Sequence, residues 1–286
     1  MLQKILNKIL KKFGKIYLKK RAVEETRSPE LMVQISKGSL LRYYGNIHSQ
    51  IGQDGILQEI FKKLGLRKGF FCEFGAWDGV YLSNCRKLVE EGWSGVFIEG
   101  NKKKFGDLLL EYQGSRGIHC ISAIVGAPKS ALYGNTLSEV LKNNDINGEK
   151  IDFLSIDIDG CDLEVFEEIG IKPKVILLEG GIHFDPNVQG RVVPEVRNLY
   201  HHPIREIVDT VEKNGYVAVC FLHDLYLVRK EFAYKFKKFS TEELFADSYF
   251  AAPSWLRKKM DRAKKNWVLI EAQQKLLNYA IRRDTE

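Results

Sequence analysis

The sequence predicts a doubly wound α/β fold: a mostly parallel, seven-stranded sheet with an antiparallel final strand, plus helical additions at both termini. Three observations predict it. From residue 70 to residue 179, short apolar runs alternate with helical stretches, as in a parallel sheet covered on both faces. The first run closes on a glycine-punctuated turn, EFGAWDG (73–79), which leads into a helix. Finally, GYVAVCFLHDLYLVRKEF (215–232) is two apolar runs joined by a short His-Asp turn, a hairpin that reverses the last strand.

The strands are expected at 70–75, 95–99, 117–122, 152–157 and 174–179, followed by the two arms of the hairpin. Helices are expected near 82–91, 102–112, 136–143 and 162–169, and such alternation implies right-handed crossovers. Upstream, SQIGQDGILQEIFKKLGL (49–66) reads as a polar turn feeding an amphipathic helix. GIHFDPNVQGRVVPEVRNLYHHP (181–203) is a long loop, and a loop of that length inside a compact domain is usually functional. Three parts follow: a basic amphipathic arm and connector (1–47), an α/β domain (48–239) and a helical appendage (240–286). In the appendage, Trp255, Leu256, Met260, Trp267, Ile270, Leu276, Leu277 and Ile281 offer an apolar face to the body or to a partner.

With 286 residues, 44% hydrophobic and 28% charged, the chain can bury a sizeable core. No run reaches the roughly 18 to 20 apolar residues of a membrane-spanning helix. The first residues lack the apolar core and cleavage site of a signal peptide. Five scattered cysteines, an odd number without paired metal spacing, argue against a disulfide framework and for a reducing cytoplasm. The net charge of +7 is concentrated in MLQKILNKILKKFGKIYLKKR (1–21), which holds seven lysines, one arginine and no acid. The remainder is nearly neutral, which excludes a general nucleic-acid binder. Leu2, Ile5, Leu6, Ile9, Leu10, Phe13 and Ile16 recur at helical spacing between those lysines. The expected contacts of this helix are an anionic membrane face, peripheral at the inner surface, or protein: the body or a second copy of the chain.

The EFGAWDG turn carries the chemistry. Gly75 and Gly79 allow a sharp turn and close approach of a ligand. Their G-x-x-x-G spacing is neither the G-x-G-x-x-G of a dinucleotide site nor a P-loop. Glu73 and Asp78 would repel a pyrophosphate but suit a ligand bearing ammonium and sulfonium charges, such as S-adenosylmethionine. Glu99 ends the next strand, where a carboxylate can accept from both ribose hydroxyls. The plainer alternative is a helix-capping turn and a surface glutamate.

On SQIGQDGIL (49–57), EFGAWDGVYLSNC (73–85) and IDFLSIDIDGCDLEVF (151–166), the chain resembles class I, Rossmann-like S-adenosylmethionine-dependent methyltransferases, most of all the FkbM-type group. The resemblance covers roughly residues 48 to 232. It implies that Gly75 and its neighbours Glu73, Ala76, Asp78, Gly79, Ser83 and Asn84 hold the methionine end of the cofactor. Glu99 with Gly100 would hold the ribose, and Ser122 and Ala123, in the loop running to Ile124, would flank the adenine. Gln50 and Gln53 would close over the cofactor from the amino-terminal side. Trp77, bulky inside the turn, departs from this pattern.

Ligands of such a sheet sit beyond the carboxyl ends of its strands, where Asp157 and Glu179 lie, with His183 and Asp185 close behind. Two routes to a hydroxyl nucleophile are open. His183 can serve as general base, or a metal such as Mg2+ on Asp157, Asp159 and Glu179 can lower the hydroxyl's pKa. Asp157 is also placed to touch the cofactor. Asp159 alternatively stabilises its turn, and Asp162 is placed as an N-cap. His201 and His202 are read as solvated loop residues, and His223 and Asp224 as structural, at an end facing away from the site or along its rim. Arg191, Arg197 and Tyr200 are candidates for gripping a substrate. The expected activity is O-methylation of a small polar acceptor, which the resemblance narrows to a sugar or glycan precursor. Two competitors remain: a glycosyltransferase using Asp157-Ile158-Asp159 as D-x-D, and a non-catalytic methyltransferase-like binding module.

Overall fold

The computed structural model describes residues 29–127, 134–158, 160–191 and 201–262. The basic arm, Asp159, Arg197, Tyr200, Trp267 and the residues after it lie outside the described residues.

Seven strands form one sheet: β1 (Phe70–Phe74), β2 (Ser94–Glu99), β3 (Ile118–Ser122), β4 (Phe153–Ile156), β5 (Val175–Glu179), β6 (Tyr216–Leu222) and β7 (Asp224–Arg229). Their order across the sheet is β3-β2-β1-β4-β5-β7-β6. Six strands share one direction, while β7 runs antiparallel to both of its neighbours, β5 and β6. Each of the first five strands begins and ends within one residue of its expected bounds. The reason is composition: FFCEF, FLSI and VILLE are apolar enough to be buried on both faces. His223, at φ 65, is the single residue that turns β6 into β7.

Helices fill both sides. The helix Gln53–Leu64 starts and stops on left-handed glycines, Gly52 and Gly65, and buries Ile56, Leu57, Ile60 and Phe61. The Phe61 ring packs 4.9 Å from Trp93 and 5.4 Å from Phe153. Asn101 caps the helix Lys102–Tyr112 by accepting from the amides of Lys103 and Lys104. Thr136 and Ser240 open their helices with capping boxes closed by Glu139 and Glu243. The helix expected near 82–91 shrinks most, to Arg86–Glu90. Leu82 is left-handed there, at φ 59, and Ser83 and Asn84 are engaged elsewhere.

The helix Thr241–Ala251 packs on β6, on the helix Ile204–Lys213 and on Pro29–Met32. Leu244, Phe245, Ala251, Ala252, Leu256 and Met260 join the same hydrophobic core as the strands. The Asp247 carboxylate accepts from the Ser36 amide at 2.9 Å, tying the entering chain to this layer. All five cysteines are free thiols. Among the described residues, no helix is long and apolar enough to cross a membrane.

Two helical glycines make opposite predictions. At Gly106, a β-carbon would meet nothing within 4 Å, whereas at Gly55 it would lie 2.1 Å from the Tyr43 carbonyl oxygen. In urea denaturation, Gly106→Ala should therefore stabilise the protein by about 0.5–1 kcal/mol. Gly55→Ala should cost about 1–3 kcal/mol.

Candidate active site

Between β1 and β4 the strand order reverses, the point of a doubly wound sheet beyond whose carboxyl ends ligands bind. Gly75 turns there at φ 76, and a β-carbon on it would stand 2.1 Å from the main-chain oxygen of Asp157. No larger residue fits that approach. One strand over, the buried Glu99 carboxylate accepts from two amides, Trp77 through Oε2 at 2.7 Å and Asn101 through Oε1 at 2.6 Å. It thus pins the glycine turn to the start of the next helix, and each oxygen keeps a second lone pair. Register sets Ser122 of β3 beside Glu99, and the Ala123 amide donates to the Glu99 carbonyl at 3.3 Å. Gly100 lies against Ile124, where a β-carbon would come within 2.9 Å of Cγ1. The Trp77 ring, 44% exposed, carries the Lys104 ammonium 4.4 Å from its centre.

Several expected ligand contacts are built into the turn itself. Glu73 is buried, and its carboxylate accepts from the Ser83 hydroxyl at 2.6 Å and the Asn84 amide at 2.9 Å. The Asn84 side chain in turn donates to the Ser155 hydroxyl on β4 at 3.0 Å. Asp78 Oδ1 accepts from the amides of Val80 and Tyr81 at 3.0 and 2.7 Å. The Ala76 amide donates to the Ile98 carbonyl, and the Gly79 carbonyl accepts from the Tyr112 hydroxyl at 2.6 Å.

The segment before the first helix folds toward the same edge. Asp54 Oδ2 gathers the amides of Ile47, His48 and Ser49, at 2.7 to 2.9 Å, together with the Ser49 hydroxyl at 2.8 Å. Beside this knot, the half-buried Gln50 accepts from the Asn46 side chain through its carbonyl. Gln53 is buried, and its amide donates to Asp224 Oδ2 at 2.7 Å.

Asp157 is exposed at the end of β4, and Glu179 is buried at the end of β5. Asp162 differs from its expected role. Cys161, at φ 63, takes the N-cap position, and the Asp162 carboxylate reaches back to the amides of Ile158 and Gly160, each at 3.0 Å. His223 and Asp224 lie beside the end of β5, along the rim rather than facing away. Register pairs Glu179 with Asp224, and His223 sits between them, Nε2 3.5 Å from Glu179 Oε1 and Nδ1 3.1 Å from Asp224 Oδ1. The signal was available: a reversed strand inserted between β5 and β6 must start where they end.

His183 stacks on His201, with ring centres 5.2 Å apart and 17° between their planes. His202 is buried rather than solvated, with Nε2 2.7 Å from Glu164 Oε1. Asp185 accepts from the Asn187 amide, and Arg191 pairs with Glu167 and Glu206. Among the described residues, the histidine–carboxylate group whose ligand atoms converge is Asp162, Glu179 and His201, which shares only Glu179 with the expected metal set.

Burial dominates the electrostatics. It pushes Asp162 up to about 8, reinforced by Asp157 and opposed by the amides that donate to it. Glu179 is held well above the carboxylate range by burial and by Asp157, Asp162 and Asp224. His183 goes the other way, to about 4, because burial and the nearby His201, Lys259 and His223 all disfavour its cation. Burial lifts Glu73 to about 7 despite its two hydrogen bonds. A carboxyl raised in the folded state binds more protons there than in the unfolded chain. Its penalty is therefore absent below the unfolded pKa, near 4.5, and complete above about 7. Glu73→Gln should remove a loss of stability on the order of 3 kcal/mol between pH 4.5 and 7, read from urea midpoints across that range.

Residues 134–218 match the methyltransferase FkbM domain. No curated protein matches the chain in sequence. Among solved structures, the chain is similar to a Staphylococcus aureus protein described as a caffeoyl-CoA O-methyltransferase, at 15% identity and TM-score 0.41, over 76% of this chain and 99% of the other. It is also similar to an S-adenosylmethionine-dependent methyltransferase from Aquifex aeolicus, at 12% identity and TM-score 0.36, over 71% and 100% of the two chains. A third is M. capricolum TrmK bound to S-adenosylhomocysteine, at 14% identity and TM-score 0.32, over 59% and 66%. The FkbM match falls across β4, β5 and the start of β6.

Proposed function

We propose that the chain methylates a hydroxyl of a small polar acceptor, a sugar or glycan precursor. The observation that carries this reading is a buried imidazole held neutral, His183, four residues beyond the end of β5 and stacked on His201. S-adenosylmethionine, when bound, supplies a methyl group on a sulfonium that an oxygen nucleophile can displace. The residues present suit it. Gly75 turns the chain sharply at the end of β1, and the spare lone pairs of Glu99 can accept from ribose hydroxyls. Ser122, Ala123 and Gly100 offer the next edge to the adenine, and the exposed Asp157 offers a negative charge near the sulfonium.

His183 would then take the proton from the acceptor hydroxyl on an unprotonated ring nitrogen. The groups near it, His201, Lys259 and His223, are hydrogen-bonding rather than apolar, which suits a polyhydroxylated acceptor better than a flat aromatic one. The sugar-nucleotide reading of Asp157-Ile158-Asp159 is not favoured, since it leaves the Gly75 turn and Glu99 without a purpose. For the basic segment 1–21, we propose contact with an anionic membrane face, on its charge alone.

The test is incubation with S-adenosylmethionine and a panel of sugar nucleotides and glycan precursors, with mass spectrometry of the products. A gain of one methyl as an ether supports the proposal; methylation only at nitrogen or carbon overturns it. Asp157→Ala should abolish transfer, and His183→Ala should lower kcat by about 10²–10⁴-fold. Glu99→Ala should weaken cofactor binding in calorimetry by about tenfold, the worth of one good hydrogen bond. Because His183 is held neutral down to about pH 4, the acid limb of kcat should fall there rather than near an ordinary imidazole value.

A further inference from the structure

We infer that Asp162, Glu179 and His201 form a binding site for one divalent transition-metal ion of the manganese or zinc type. Each residue contributes from a different segment: the start of a helix, the end of β5 and the loop that follows it. One potential ligand atom from each lies within 4.8 Å of the others.

A second, independent feature points to a ligand. Glu179 is 8% exposed, and its Oε2 atom is buried without a hydrogen-bond partner. Leaving such an oxygen unpaired costs about 1–3 kcal/mol, and more when it is charged. Its other oxygen lies 3.5 Å from His223 Nε2. Among the described residues, no lysine or arginine pairs with Asp162, Glu179 or Asp224. A cation at this point would meet an excess of negative charge.

The ligands are held for such a role. Both oxygens of Asp162 are oriented by main-chain amides and keep a further lone pair each. The His201 ring is held in a stack on His183. Two carboxylates with one imidazole favour a borderline divalent ion over magnesium, which prefers all-oxygen octahedra. The expected set of Asp157, Asp159 and Glu179 was such an all-oxygen set; Asp162 and His201 change the ion as well as the ligands. The inference rests on the O-methylation reading only for its purpose: an ion here would bind acceptor hydroxyls beside His183 and lower their pKa.

The experiment uses the full chain, stripped with chelator and dialysed. Mn2+ is titrated by loss of the free-ion electron paramagnetic resonance signal, Zn2+ by competition, and S-adenosylmethionine binding is measured calorimetrically in the same samples. One bound Mn2+, displaced by Zn2+, is expected. Glu179→Gln and His201→Ala should each weaken Mn2+ binding at least tenfold, while Asp107→Asn, on a distant helix surface, should leave it unchanged. No Mn2+ or Zn2+ binding by wild type at millimolar ion overturns the site. So does wild-type affinity in His201→Ala, a loop variant that decides the matter if Glu179→Gln does not fold. Cofactor binding without metal binding would sink the metal site and leave the methyltransferase reading intact; metal binding without cofactor binding would do the reverse.

Discussion

Carboxylates buried at one edge of an apolar sheet are the constraint around which the rest of this structure is arranged. Glu73, Asp162, Glu179 and Asp224 are all buried there. Parallel strands end together, so every polar group that the strands themselves exclude accumulates at that edge. Desolvation then acts on all of them at once, and each must find donors or remain costly. Glu73 finds Ser83 and Asn84, Asp162 finds two main-chain amides, and Asp224 finds Gln53 and His223. Glu179 keeps one oxygen, Oε2, buried without a partner. The least satisfied group sits at the centre of the candidate site, as expected where function rather than stability has shaped the environment.

The same edge explains features that look unrelated in the chain. The knot around Asp54 is far from the sheet in sequence, yet it carries Gln53 to Asp224 and so braces the β6–β7 turn. Glu99 braces the glycine turn in the same manner, using one carboxylate to fix two amides from different loops. In both cases an acid that could touch a ligand first holds the backbone that would surround it. Rigid support of this kind keeps a reacting geometry within the tolerance that transfer chemistry needs.

Much of this was legible in the chain. Alternating apolar and helical runs gave the strands of the parallel sheet nearly to the residue, because double burial demands an uninterrupted apolar stretch. The GYVAVCFLHDLYLVRKEF pattern gave the reversed strand, and the glycines of EFGAWDG marked a sharp, left-handed turn. The reading failed where a polar side chain had several partners within reach. Asp162 looked like an N-cap from its place before LEVF, but a left-handed Cys161 takes that position and frees the carboxylate to turn back. His202 looked solvated, yet it is buried against Glu164, a residue 38 positions away.

By itself, then, the sequence determined strand order class, the glycine turn, the acid that ends β2 and the absence of a phosphate-cradling loop, because each is written in local spacing. Only the tertiary structure decided which polar groups meet. Placing β7 between β5 and β6 carries His223 and Asp224 to Glu179, and the loop after β5 brings His201 to His183. Such meetings depend on pairing between segments far apart in the chain, and no periodicity within either segment encodes them.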